Sequence, residues 1–301
     1  MSRESFDVVI LGTGPAGLQA AIHAARKKVA VLVLGRQPQS SLYKAHVENF
    51  CCLGKIAGGD LLGAGREQAQ KFGAQMWDED VLEVTSGGEG FVIRTESGRE
   101  VAAKSLVLAM GISRNKLGVP GEKKLLGKGV SYCVDCDAGF YRGTKVAVVG
   151  EGSAAFSGAL TMLMVASEVH LIYDQASVEP TLAGQVEAGG IFVHSGRKVK
   201  AILGEKLVEG LELDNGEILE VEGVFIELGA KGAVALAGTL GVMMDPESMQ
   251  YIAVDKKQAT NLPGVYACGD ITGPPWQVAK AVGEGCVAGL EAAAYAKDRR
   301  G

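Results

Sequence analysis

Phe6-Asp7-Val8-Val9-Ile10-Leu11-Gly12-Thr13-Gly14-Pro15-Ala16-Gly17 joins an apolar run to a glycine-rich turn near the start of the chain. Its apolar half, Phe6 to Leu11, reads as a buried strand. A helix pattern follows through Ala20, Ala21, Ala24 and Ala25 to Arg26, and a second strand is expected at Val29 to Leu34. This is a βαβ opening. Gly12 permits the tight turn, Gly14 lets backbone approach a pyrophosphate, and Gly17 allows close helix-to-strand packing, with the helix N-terminus facing phosphate charge. The competing reading is a plain glycine turn; the placement between a strand and a helix favours a dinucleotide site. The acid that usually holds a ribose after the second strand is missing, because Gly35 and Arg36 stand there.

Outward from that run, a second turn of the same type, Gly150-Glu151-Gly152-Ser153-Ala154-Ala155, makes a weak internal repeat. The length of 301 residues suits about two domains of ~150 residues each, and 47% apolar content is ample for packed cores. The 43 glycines are roughly twice the ~7% norm without a fixed period, as expected of many strand-to-helix turns. A net charge of −5 argues against nucleic acid or an anionic membrane as the main partner. No apolar run approaches the ~18 residues of a membrane span, and MSRESFDVVIL enters a strand pattern without an export segment, so a cytoplasmic location is expected.

The piece Leu262-Pro263-Gly264-Val265-Tyr266-Ala267-Cys268-Gly269-Asp270 reads as a strand ending in Gly-Asp. Pro274-Pro275-Trp276-Gln277 then leads into a long helix over Val278 to Lys297. This suits FAD. Gly269 would admit a ribityl chain, Asp270 would accept a hydroxyl hydrogen bond, and the helix start at Gln277, Val278 and Ala279 would turn its positive end to the isoalloxazine. A surface Gly-Asp turn before a helix is the plainer alternative.

Six cysteines (Cys51, Cys52, Cys133, Cys136, Cys268, Cys286) are too few for a disulfide scaffold. Cys133-Val134-Asp135-Cys136-Asp137 sets two of them in a CxxC, which can be a redox disulfide, a metal half-site or a buried structural pair. No second CxxC exists, and His23, His46, His170 and His194 lack zinc-finger spacing, so no metal is expected. Cys51 and Cys52 are adjacent, a spacing that strains any mutual disulfide. Cys268 and Cys286 fall in strand and helix patterns where buried cysteines are common.

The chain resembles the low-molecular-weight thioredoxin reductase family over nearly its whole length. The resemblance rests on GTGPAG, Val47-Glu48-Asn49-Phe50, Leu108-Ala109-Met110-Gly111, Gly129-Val130-Ser131-Tyr132 before the cysteines, the Gly150 turn and Gly269-Asp270. It implies an α/β fold of two Rossmann-like, three-layer nucleotide-binding domains. A discontinuous FAD domain would be made of residues 1–114 and 231–301, and an inserted pyridine-nucleotide-type domain, 115–230, would carry the CxxC. To the residues read above it adds Pro15, Ala16, Gly35, Arg36, Asn49, Val81, Ala109 and Gly111 as FAD contacts. By the same match Cys136 is the flavin-side thiol, Cys133 attacks the substrate disulfide, and Asp137 shuttles the proton if burial raises its pKa. A thioredoxin-like partner and a homodimer are implied.

Two departures stand out. From Val146 through Gly196 there is no Lys or Arg, while Glu151, Glu168, Asp174, Glu179 and Glu187 supply acids. Family members place arginines after the strand Glu168 to Ile172 to grip the 2′-phosphate of NADPH; here Tyr173-Asp174-Gln175-Ala176-Ser177 stands, with no cation nearby in sequence to offset Glu151. NADPH is therefore not expected; branches of the resembled family without that clamp imply a ferredoxin or a deazaflavin as donor, and a dithiol acting back through the cysteines is a further candidate. NADH is a second option, since Asp174 lies close to the ~20-residue offset from Ala155 at which an acid holds a ribose 2′-hydroxyl. A dithiol oxidase of a small metabolite and a flavin-bound redox sensor are further alternatives. In addition, Ser40-Ser41-Leu42-Tyr43-Lys44 replaces the family's Gly-Gly-Gln-Leu. Tyr43 or Trp276 is a candidate to stack near the isoalloxazine, and Lys44, Lys55, Arg66, Lys71 and Lys280 are candidates for a basic docking face, with half-buried aromatics and a solvated surface as the plainer readings.

Overall fold

The computed structural model describes residues 4–88, 90–111, 116–228, 233–246 and 251–299; the side chains of Cys136 and of residues 233–235 lie outside that description. The chain runs β1 (Glu4–Leu11), α1 (Pro15–Arg26), β2 (Val31–Leu34), β3 (His46–Val47), β4 (Ile56–Ala57), α2 (Gly58–Lys71), β5 (Gln75–Trp77), β6 (Val81–Gly87), β7 (Gly90–Thr95) and β8 (Glu100–Leu108). Next come β9 (Val130–Ser131), α3 (Val134–Asp137), β10 (Lys145–Val149), α4 (Ser153–Leu163), β11 (Glu168–Tyr173), α5 (Pro180–Ala188), β12 (Phe192–Ser195), β13 (Val199–Leu203), β14 (Gly210–Leu213), β15 (Ile218–Leu219) and β16 (Gly223–Ile226). The last elements are α6 (Ala233–Leu240), β17 (Val265–Ala267) and α7 (Val278–Asp298).

Two compact units form, one from residues 1–95, 99–112 and 236–301, the other from 96–98 and 113–235. The boundaries expected at 114/115 and 230/231 fall outside the described residues. In the first unit the sheet order is β5-β2-β1-β8-β7-β6, parallel from β5 to β8 and antiparallel beyond. β17 pairs in parallel with the C-terminal half of β8, so a strand from the far end of the chain lies one strand from β1. Continuous apolar runs such as Val8 to Leu11 and Val31 to Leu34 are buried, as strands covered on both faces must be.

α1 and α7 pack on this sheet through small residues. Ala20, Ala21, Ala24 and Ala25 meet Ala288, Ala292, Ala293 and Ala296 in one buried cluster. A Cβ on Gly285 would collide with the Ala16 carbonyl, and one on Gly289 with that of Ala20, so α7 lies backbone-to-backbone against α1. That contact is what seats the C-terminal helix beside the first glycine turn.

The second unit has a parallel sheet of order β12-β11-β10-β16-β9 and a separate antiparallel sheet β13-β14-β15. Leu125, Val149, Ile172, Val199, Leu211, Leu213 and Ile226 are among the residues that fill its core. Thus each unit carries a parallel β-turn-α layer of the kind read from the two glycine turns. No helix among the described residues is long and apolar enough to cross a membrane.

Candidate functional site

In the first unit the turn after β1 is built tightly. Gly12 has φ +117°, a Cβ there would strike the Ala109 carbonyl, and a Cβ on Gly17 would strike Gly12. Gly14 is different: its open side meets only Ser40 Oγ, 3.6 Å from an added Cβ. α1 starts at Pro15, with no side-chain cap and no acid in its first turn, so the orphan N–H groups of that turn are free of a competing carboxylate. An open backbone surface over an uncapped helix N-terminus fits a pyrophosphate. Gly35 borders the same turn, its added Cβ 3.6 Å from Gly12 Cα. Its N–H donates to Trp77 O at 3.2 Å, and Arg36 pairs with buried Asp80 at 2.8 Å, next to Val81 at the start of β6. Gly111 lies just beyond Ala109, at φ +66°.

The chain's other end closes on this place. Gly269 has φ +85°, and its added Cβ would lie 2.9 Å from Ala16 Cβ. Asn49 Nδ2 donates to Gln277 Oε1 at 2.8 Å, joining two expected flavin contacts from opposite ends of the sequence. Gln277 is the N-cap of α7, and Val278 and Ala279 open that helix, again without a side-chain cap or a first-turn acid. Asp270 follows Gly269 and is half-buried.

Lys280 corrects a sequence expectation. Rather than standing on a docking surface, its ammonium donates to the carbonyls of Gly269 and Gly273 at 2.8 Å and lies 2.9 Å from Thr272 Oγ1 and 3.0 Å from Glu284 Oε2. Glu284 Oε2 also accepts from Gly269 N–H at 2.8 Å and lies 2.9 Å from Thr272 Oγ1. The pair therefore pins the Gly269 to Gly273 turn to α7. Its i,i+4 spacing was legible; its hold on Gly269 is tertiary. Of the other cations, Arg66 is engaged with Asp78 in a two-pronged pair at 2.6 and 2.8 Å. Tyr43 and Trp276 are both partly exposed, at 40% and 44%. Cys268 is fully buried, which pushes its thiol pKa well up, and it is free.

The cysteine pair belongs to the second unit. Cys133 precedes α3 and is disulfide-bonded, whereas Cys51, Cys52, Cys268 and Cys286 are free; the side chain of Cys136 lies outside the described set. Asp137, at the end of α3, accepts from Ser131 Oγ at 2.7 Å, and Ser131 Oγ accepts from Cys133 N–H at 3.0 Å. Val134 N–H donates to Glu227 Oε1 at 2.7 Å. Sequence reading missed Ser131 and Glu227 as positioning groups. Glu227 N–H bonds Val149 O at 2.9 Å beside the second glycine turn, so this one residue ties α3 to that turn. Tyr132 donates to Glu122 Oε1 at 2.8 Å, and burial followed by that carboxylate pushes its phenol up to about 12. Among the described residues no group of three or more His, Cys, Asp or Glu side chains could hold a metal ion.

At the second turn the linear reading of charge is corrected. Gly196 N–H donates to Asp174 O and Arg197 N–H to Tyr173 O, which folds the segment after β12 against the end of β11. Lys198 Nζ then reaches Asp174 Oδ2 at 2.9 Å and also feels Glu151; the Asp174 hydrogen bond is the main reason its pKa is raised. One cation from just beyond the basic-free window, Lys198, thus stands beside its acids. Ser177 N–H donates to Glu151 O at 2.7 Å, closing the loop after β11 onto the turn.

Uncapped glycine turns on parallel sheets, a first site closed by both chain ends and a disulfide-bonded cysteine beside the second turn define a flavin-linked disulfide oxidoreductase. The family model for pyridine nucleotide-disulphide oxidoreductases matches residues 6–285. The chain belongs to that family, and within it is a thioredoxin-reductase-like flavoprotein enzyme whose cofactor is FAD. It is 34% identical to the bifunctional thioredoxin reductase/thioredoxin of Mycobacterium leprae, over 98% of this chain and 67% of that protein. With the thioredoxin reductase of Listeria innocua it shares 31% identity, over 97% of this chain and 94% of the relative. Among solved structures, the atypical thioredoxin reductase TRi from Desulfovibrio vulgaris Hildenborough superposes with TM-score 0.83 at 38% identity, over 99% of both chains. A ferredoxin-flavin thioredoxin reductase from Clostridium acetobutylicum gives 0.69 at 32%, over 99% of this chain and 100% of that one.

Proposed function

We propose that the protein passes two electrons from reduced FAD through the Cys133/Cys136 disulfide to the disulfide of a thioredoxin-like protein, and that its electron donor is not NADPH. FAD supplies two-electron storage when bound. Gly12, Gly14, Pro15, Ala16, Gly17, Gly35, Arg36, Asn49, Val81, Ala109 and Gly111 on one side, and Gly269, Asp270, Gln277, Val278 and Ala279 on the other, are the residues that would hold it. The protein's own part is thiol chemistry. Cys136 takes the flavin side, Cys133 as thiolate attacks the substrate disulfide, and Asp137, steadied by Ser131, gives or takes the proton of each exchange. The observation that carries this reading is the Ser131–Asp137 bond beside a disulfide-bonded Cys133. A Cys136→Ser variant is expected to keep its flavin and lose disulfide turnover; normal turnover would defeat the assignment.

The donor argument rests on charge. Beside the second turn stand Glu151 and Asp174, with Lys198 engaged by Asp174. Two carboxylates thus stand with one ammonium already engaged, whereas a 2′-phosphate of nearly two negative charges calls for charge-assisted bonds of about 1.5–3 kcal/mol each. A ferredoxin, a deazaflavin or a dithiol is the proposed donor class, and a neighbour named as a ferredoxin-flavin thioredoxin reductase supports it. Anaerobic titration of the flavin absorbance with NADPH, NADH, reduced ferredoxin and a dithiol tests this: bleaching by ferredoxin or dithiol is expected, and bleaching by micromolar NADPH would overturn it.

A further inference from the structure

Cys51 and Cys52 have no part in the exchange just described. We propose that they form a two-thiol site for trivalent, thiophilic arsenicals. Both are free and exposed, with Sγ atoms 3.4 Å apart. Geometry disfavours their oxidation to each other: a trans peptide sets adjacent Cα atoms at ~3.8 Å, short of the ~4.4–6.8 Å that disulfides span, and the bond itself needs ~2.05 Å. The same geometry suits chelation. Two sulfurs on one soft centre, with bonds of ~2.3 Å like those of thiolate to zinc and bond angles of roughly 90–110°, stand ~3.3–3.8 Å apart.

The backbone holds the pair in that posture. Cys52 sits at φ +67°, a left-handed conformation uncommon for a residue with a side chain, and Leu53 N–H closes the turn onto Phe50 O at 3.1 Å. Ligand number selects the guest. A tetrahedral zinc site wants three or four protein ligands, and no group of three candidates exists among the described residues. A trivalent arsenical needs two sulfurs and keeps its third substituent. Capture of R–As=O forms two As–S bonds and breaks the As=O bond; the oxygen leaves as water with both thiol protons, and neither arsenic nor sulfur changes oxidation state.

The loop also has a route to the proposed flavin contacts. Asn49, two residues before Cys51, is bonded to Gln277 at the start of α7. A closed chelate ring at 51–52 is expected to disturb that bond and so the flavin absorbance; this coupling rests on the reading of Gln277 above.

The test uses FAD-loaded Cys133→Ser/Cys136→Ser protein titrated with phenylarsine oxide. Intact mass should show one adduct that survives excess 2-mercaptoethanol and is removed by a dithiol. Cys51→Ser or Cys52→Ser should weaken capture about 10²-fold or more, the advantage of a second, intramolecular thiol. Equal capture by the serine variants, or a 51–52 pair that blocks maleimide until reduced, overturns the site. An adduct that leaves the flavin spectrum unchanged overturns the coupling and leaves the site standing.

Discussion

The two glycine turns start from one local recipe and end as different environments. Gly12 and Gly150 both take positive φ, +117° and +156°, at the end of a parallel strand, and both helices that follow lack a side-chain cap. Around the first turn the chain leaves Gly14 open and brings Gly35, Ala109 and Gly269 to its rim. Around the second, Ala155 stands where Gly17 does in the first, Glu151 sits in the turn, and Ser177 ties the following loop to it. The lesson is that backbone alone makes the turn, while ligand class follows from the charges and closures that tertiary structure adds.

If the two turns differ in this way, substitutions at each should have unequal effects. The largest effect is expected at Gly17, whose added Cβ would collide with the Gly12 carbonyl. Gly17→Val should be purified without flavin and lose disulfide reduction by about 10²-fold or more, as misplacement near 1 Å does, whereas Ala155→Gly should keep stoichiometric FAD by absorbance. If Gly17→Val retains flavin, the first turn is not the cofactor seat.

Next are the two ion pairs. Glu284→Ala strands the mostly buried Lys280 ammonium and should cost about 2 kcal/mol in urea unfolding, with faster FAD release. Lys198→Ala removes an exposed partner of Asp174, and it should leave the urea midpoint essentially unchanged. Equal losses would mean that the Gly269 clamp has no special weight.

A third change addresses the donor. Glu151→Ser with Asp174→Arg replaces repulsion by a guanidinium contact and should speed NADPH bleaching of the flavin roughly 10-fold or more. No gain would show that shape, rather than charge, closes the second turn.

The smallest effect is on pH dependence. Burial, then the neighbouring His170, lowers the pKa of His194, with Glu217 pulling the other way and Arg197 adding to the lowering. A depressed folded-state pKa contributes stability above the ordinary histidine value of 6.5 that is lost as pH falls through the folded value. The melting temperature should therefore drop below about pH 6.5, and His194→Gln should flatten that drop.

Much was legible in the sequence because it is local. Strand β1, the turn at 12–17, helix α1 and the long C-terminal helix follow from apolar runs, glycines and alanine spacing. β2 begins at Val31 rather than Val29, a boundary that pairing with β1 sets. Lys280 looked like a surface cation because nothing in its neighbours along the chain reveals the carbonyls of Gly269 and Gly273. Glu227 was passed over for the same reason, since its partner Val134 is distant in the chain, whereas Ser131, whose partners Cys133 and Asp137 follow closely, lay within reach of a local reading.

Local pattern was enough for strand β1, helices α1 and α7, the two glycine turns and the CxxC spacing, since these depend on contacts within a few residues. Only the tertiary structure decided that Asn49 meets Gln277, that Glu284 and Lys280 pin Gly269, and that Lys198 offsets Asp174. Hydrogen bonds and ion pairs act over a few ångströms in space, and it is the packing of small-residue helices and the pairing of distant strands that makes those positions neighbours.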